Sequence, residues 1–87
     1  KKDIALRKEL VMKQVLETII KNIVEDQDAV SINEKEEAGK ITFEVKVAES
    51  DMGRVIGRQG KIANSIRTVM KALGSRDKRK VTIEFME

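Results

Sequence analysis

Apolar residues recur at three- and four-residue spacing over residues 12–25, where Val15, Leu16, Ile19, Ile20, Ile23 and Val24 make one stripe of an amphipathic helix. Asp26, Gln27 and Asp28 end it with side chains that favour turns. The period then shortens. Residues 29–35 alternate weakly, with Val30 and Ile32 apolar, and Glu36, Glu37, Ala38 and Gly39 read as a charged turn. Residues 40–48 alternate strictly, Ile41, Phe43, Val45 and Val47 against Thr42, Glu44 and Lys46, which predicts a half-buried strand paired with the preceding one as a hairpin. The alternation returns over residues 80–86, with Val81, Ile83 and Phe85 opposite Thr82 and Glu84. Three such strands form an antiparallel-capable sheet with one polar face, so helices must cover the other. Between the last two strands the pattern predicts a short helix over 51–56, capped by Ser50, and a longer one over 61–73. The longer helix has Ile62, Ile66, Val69, Met70 and Leu73 as its core stripe, and Gly74 follows as a left-handed C-cap. The order is αββααβ.

Length and terminus refine this picture slightly. At 87 residues the chain is one domain with a small core. Ile4, Lys8, Val11 and Val15 lie close to one helical line, so residues 1–11 extend the first helix in principle. The chain begins without methionine, however, and the compact pattern starts at Met12. Residues 1–11 are therefore expected to be an N-terminal extension of artificial or processed origin, and residues 12–87 the domain.

Composition removes most chemistry. With no cysteine there is no disulfide framework and no thiolate metal site, and with no histidine the commonest general base and metal ligand are missing. Nothing clusters the carboxylates or lysines. The expectation is a protein with no enzymatic activity, cofactor, metal or small-molecule substrate. No stretch reads as a signal peptide and none approaches the roughly 20 apolar residues that span a bilayer, so no membrane contact and a cytoplasmic location are expected. Charge is more informative than its total. Residues 1–11, 12–51 and 52–87 carry +2, −5 and +6, which together give the net +3. A basic half on an otherwise acidic small domain points to an anionic partner, although a solvated surface explains charge alone equally well.

The segment VIGRQGKIANSIRTV, residues 55–69, concentrates that basic half around two glycines three apart. Gly57 and Gly60 fall at the joint between the two predicted helices. One glycine suffices for a tight turn at positive φ; the second leaves both ends of the turn bare, so that a ligand can approach the backbone. Arg58, Lys61 and the amides opening the next helix then suit phosphate oxygens. A Walker A loop fails, with Val55 and Ile62 at positions that need glycine and Ser or Thr, and a dinucleotide fingerprint fails at Val55 and for want of a preceding strand. What fits is the GxxG loop of a KH domain, which clamps about four nucleotides by their backbone. A bare GxxG is common; here it sits between two helices, after Val55 and Ile56 and before Lys61, in a chain of the matching element order.

On these residues, and on the longer stretch DMGRVIGRQGKIANSIRTV with the strand VTIEFME, the sequence resembles a type II KH domain, and more narrowly the small single-KH RNA-binding proteins of bacteria, the KhpA family. The resemblance covers residues 12–87. It implies an α+β fold of type II KH, αββααβ, with a three-stranded sheet covered on one face by three helices. It further implies binding of single-stranded RNA as a small RNA-binding or RNA-chaperone protein without enzymatic activity. A homodimer, or a heterodimer with a larger KH-containing protein, is implied as well.

Carried onto this sequence, Gly57 and Gly60 allow close backbone approach, Arg58 and Lys61 contact phosphate, and Gln59 points outward and hydrogen-bonds it. Ile56 and Ile62, with Ile66, supply an apolar floor for bases; Arg54, Arg67 and Lys71 extend a basic rim; and the run 76–80 matches the family's variable loop. Ile62 and Ile66 also read as core, and Arg67 and Lys71 as the solvated face of a helix. Without Trp or Tyr, and with Phe43 and Phe85 on apolar strand faces, an aromatic stacking platform is excluded, so loose sequence preference is expected. Ser65, Thr68 and Ala72 form a face of small residues where a second helix fits. The competing reading is a protein-interaction or dimerisation module with little RNA binding of its own, and single-stranded DNA stays open beside RNA.

Overall fold

A computed structural model of the chain describes residues 2–76 and 78–86, with side chains from Leu10 onward. Asp77, within the charged run 76–80, and the side chains of Ile4 and Lys8 lie outside the described residues. Helix α1 (Lys2–Ile23) carries through residues 2–11 the helix that the apolar pattern opens at Met12. Its buried edge is Met12, Leu16 and Ile20, spaced by four, with Val15, Ile19 and Ile23 half-buried beside them. It ends two residues sooner than predicted, because the N–H groups of Glu25 and Asp26 turn to the Asp51 carboxylate. No helix among the described residues is long and apolar enough to cross a membrane.

Strands β1 (Ser31–Glu37) and β2 (Lys40–Lys46) form the hairpin. Its turn is Ala38 and Gly39 alone, with φ of 48° and 80°. A two-residue hairpin needs that pair of left-handed residues, so Glu36 and Glu37 belong to the strand rather than to the expected longer turn. Strand β3 (Lys80–Met86) has the predicted bounds but runs parallel to β2, Lys40 beside Lys80 and Lys46 beside Met86. The sheet is thus mixed, in the order β1-β2-β3. Only the hairpin realises the antiparallel expectation. Two helices between β2 and β3 return the chain to the end from which β2 started, and a strand entered that way is parallel. Ile41, Phe43 and Val45 of the central strand are fully buried, flanked by Ile32, Val81 and Ile83. With α2 (Met52–Ile56) and α3 (Lys61–Arg76), α1 completes the expected α+β architecture, three helices and a three-stranded sheet.

Helix α3 departs from its predicted stripe. Its buried residues are Ala63, Ile66, Met70 and Gly74, while Ile62 and Val69 are exposed. A hydropathy pattern passes over Ala63 and Gly74, yet their small size lets the helix lie close on the sheet. Gly74 is therefore not the left-handed cap. The helix continues to Arg76, the positive φ falls at Lys78 (57°), and the Gly74 carbonyl accepts the Arg79 N–H at 2.9 Å. A Cβ at Gly74 would overlap the Val81 side chain and lie 3.0 Å from the Arg79 carbonyl oxygen. Gly74→Ala is accordingly expected to destabilise the fold by about 1–3 kcal/mol, the usual range for overpacking, measured as a lowered urea midpoint.

Candidate nucleic-acid interface

Helix α2 has only five residues and cannot persist by itself. It is fixed at its C-terminal half by Val55, fully buried, and at its start by Asp51. Ser50 lies inside a 3₁₀ turn over Glu49–Asp51 rather than capping the helix, and Asp51 occupies the cap position with its carboxylate turned elsewhere. Oδ1 accepts the Glu25 N–H and Oδ2 the Asp26 N–H, each at 3.1 Å, and Arg54 Nε lies 3.3 Å from Oδ1. Asp51 is the buried charged residue among those described. The two backbone N–H groups hold its carboxyl below the usual carboxylate range, assisted by Arg54 and opposed by burial.

The loop after α2 is built from left-handed backbone. Gly57 (φ 75°), Gln59 (φ 55°) and Gly60 (φ 74°) all have positive φ. At Gly57 a side chain is also sterically excluded, since a Cβ would meet Ile62 at 2.6 Å. At Gly60 the nearest neighbour of such a Cβ is Asn64 Nδ2, at 3.8 Å, so conformation rather than space demands glycine there. The Gly57 and Gly60 N–H groups bond back to the Gly53 and Gly57 carbonyls, at 2.9 and 3.1 Å. Arg58, Gln59 and Lys61 are exposed, and their side chains have no partner among the described residues. The loop thus offers bare backbone, two free cations and the N-terminal amides of a 16-residue helix on one side.

Farther along α3 a groove of about 510 Å³ runs between α3 and the start of β3, lined by Arg67, Lys71, Val81, Thr82 and Ile83 together with Arg79 and Lys80. Strand β3 is the sheet's edge. The Lys80 N–H bonds the Gly39 carbonyl and the Met86 carbonyl accepts the Val47 N–H, so even-numbered residues of β3 bond inward. Val81, Ile83 and Phe85 therefore turn their N–H and C=O groups outward, and the Ile83 carbonyl receives Arg67 Nε at 3.4 Å.

The fold gathers Gly57, Arg58, Gln59, Gly60, Lys61 and Ile62 in one loop and sets Arg67 and Lys71 along the groove. Ile56 is half-buried against the core and Ile66 fully within it, which leaves Ile62 as the exposed apolar side chain beside the loop. Arg54, on α2 just before the loop, bridges Glu25 (2.8 Å) and Asp51. Phe85 is half-buried rather than core, and carries Arg67 against its ring. The outward groups of β3 escaped sequence reasoning. Hydropathy marks which residues of a strand face the core, not which strand ends the sheet.

The family described as "KhpA/KhpB, KH domain" matches residues 13–85. The chain is 47% identical over 75 residues to the RNA-binding protein KhpA of Clostridium acetobutylicum, covering 86% of this chain and 100% of that one. It is 44% identical over 75 residues to the protein of the same name from Caldanaerobacter subterraneus, with the same coverage. For the one from Listeria monocytogenes the figures are 38% over 76 residues, 87% of this chain and 100% of that one.

The Asp51 contacts make stability pH-dependent. A carboxyl whose pKa is depressed on folding stabilises above its unfolded value, about 4, and that contribution fades as pH falls through the folded value. Asp51→Asn should melt below the parent at neutral pH, and the gap should narrow on acidification below about pH 4. Parallel thermal melts of the two proteins across pH test this.

Proposed function

The chain belongs to the family of KhpA/KhpB KH domains, and we propose that it binds single-stranded RNA by clamping the phosphate backbone at the Gly57–Gly60 loop and laying bases along β3. The observation that carries this reading is the loop itself. Three left-handed residues bare the backbone beside Arg58 and Lys61, and the outer edge of β3 lines the groove along α3. Relatives named RNA-binding proteins, aligned along their whole length, support it.

Phosphates meet Arg58, Gln59, Lys61 and the amides opening α3, which supply charge and donors without reading sequence. Bases then reach the outward peptide groups of Val81, Ile83 and Phe85. Each group offers one donor beside one acceptor, and the Watson–Crick edge of every base has an adjacent donor and acceptor. Such an edge accepts all four bases with little discrimination. Ile62 supplies the apolar contact, while Arg54, already holding two carboxylates, serves the scaffold. Cytoplasmic action as a small RNA-binding or chaperone-like protein follows from this reading.

A second copy, or a larger KH-containing protein, is the protein partner we propose. Val69 on α3 is 45% exposed, and Ser65, Thr68 and Ala72 are exposed around it, with the two hydroxyls bonded back to their own helix at 2.8 and 2.9 Å. Such a face is dry and narrow enough for another helix. Thr68→Arg should then sediment as monomer at concentrations where the parent sediments as dimer.

For RNA, the informative variant is Arg58→Asp with Gln59→Asp. Aspartate tolerates the left-handed backbone at position 59, so the fold should persist. In fluorescence anisotropy with a mixed-sequence single-stranded RNA, the parent should bind with a clear salt dependence. The variant should be weaker by about tenfold or more at low salt. Equal binding by the two proteins would remove the clamp and favour the interaction-module reading; a DNA oligonucleotide of the same sequence, run alongside, reports on the sugar.

A further inference from the structure

Arg67 occupies the groove in a way its charge alone does not explain. A guanidinium waiting for phosphate stands out in solvent, as Arg58 does. Arg67 instead lies half-buried across the edge of β3. Its Nε–H points at the Ile83 carbonyl oxygen at 3.4 Å, Nη1 donates to Asn64 Oδ1 at 3.2 Å, and its central carbon sits 5.4 Å from the centroid of the Phe85 ring. These contacts take the middle one of the three outward peptide groups and the adjoining aromatic surface.

We propose that Arg67 is a displaceable latch over the base-reading edge of β3 and sets how readily a base enters the groove. The inference rests on the RNA reading above. To reach Ile83, a base must push the guanidinium off both the carbonyl and the ring. The hydrogen bond is long and the contact partly solvated, so the exchange is cheap. The approaching phosphate chain gives the released cation a new partner, so no charge is stranded. A base that bonds both the N–H and the C=O of Ile83 replaces what Arg67 gives up there, which a ligand with only phosphates does not. The residue thus lowers affinity for bases in the closed state, although its charge alone would raise it.

That opposition of signs is the test. RNA binding is measured by anisotropy at low and high salt for the parent, Arg67→Lys and Arg67→Met. The lysine keeps the charge but lacks the planar group that lies on Phe85, and should bind about two- to fivefold tighter at both salts, the amount an exposed cation–π contact is worth. The methionine should gain only at high salt, where the lost charge no longer matters. In the parent, the Arg67 Nε–H resonance should be displaced by the Phe85 ring and move toward the value of free arginine as RNA is added, together with the Ile83 amide. If the parent binds but Arg67→Lys is equal or weaker, or if the Nε–H signal stays put while Ile83 shifts, the latch is overturned and the RNA reading stands. If the parent binds no RNA, both fall.

Discussion

A single carboxylate holds the working end of this fold together. Asp51 accepts the first two N–H groups beyond the last turn of α1 and simultaneously opens α2, so it fixes where a five-residue helix begins relative to a 22-residue one. The Gly57–Gly60 loop hangs from that short helix. Val55 locks its far side into the core, and the left-handed loop emerges directly from its end. A buried charge is tolerable only when its lone pairs are filled. Here backbone and Arg54 fill them.

The open face of the sheet carries both signs of charge. Thr42, Thr82, Glu44 and Glu84 stand together on the open face of the sheet, with Lys35 3.5 Å from Glu44. That face carries paired glutamates in register, and Lys35, Lys40 and Lys80 share it, so its charges are mixed. The unpaired cations of the loop, and Lys71 beyond them, lie on the α3 side.

Much of this was legible beforehand. Strict alternation gave β3 its bounds, and the glycine spacing in a helix–helix joint located the loop. The misreadings share a physical origin. Hydropathy rewards large apolar residues, so Ile62 and Val69 were placed in the core, while buried Ala63 and Gly74, the latter pressed against Val81 of β3, were passed over. A glycine near a helix end looks like a cap, and only the position of Val81 reveals otherwise. Strand direction depends on what lies between strands rather than within them, so the parallel β2–β3 pair could not be read from alternation. Asp51 looked like one more polar residue near a helix start, because its partners are more than 20 residues away in sequence.

The outward peptide groups of β3 recur at every second residue, and so stand about 6.6 Å apart along the edge. Three such groups, at Val81, Ile83 and Phe85, make a ruler with three marks. On the proposed reading the three groups would meet about as many bases, close to the four nucleotides that a GxxG clamp spans. A long strand would leave the rest of its length uncovered, open to base pairing, to nucleases or to another copy of the same domain.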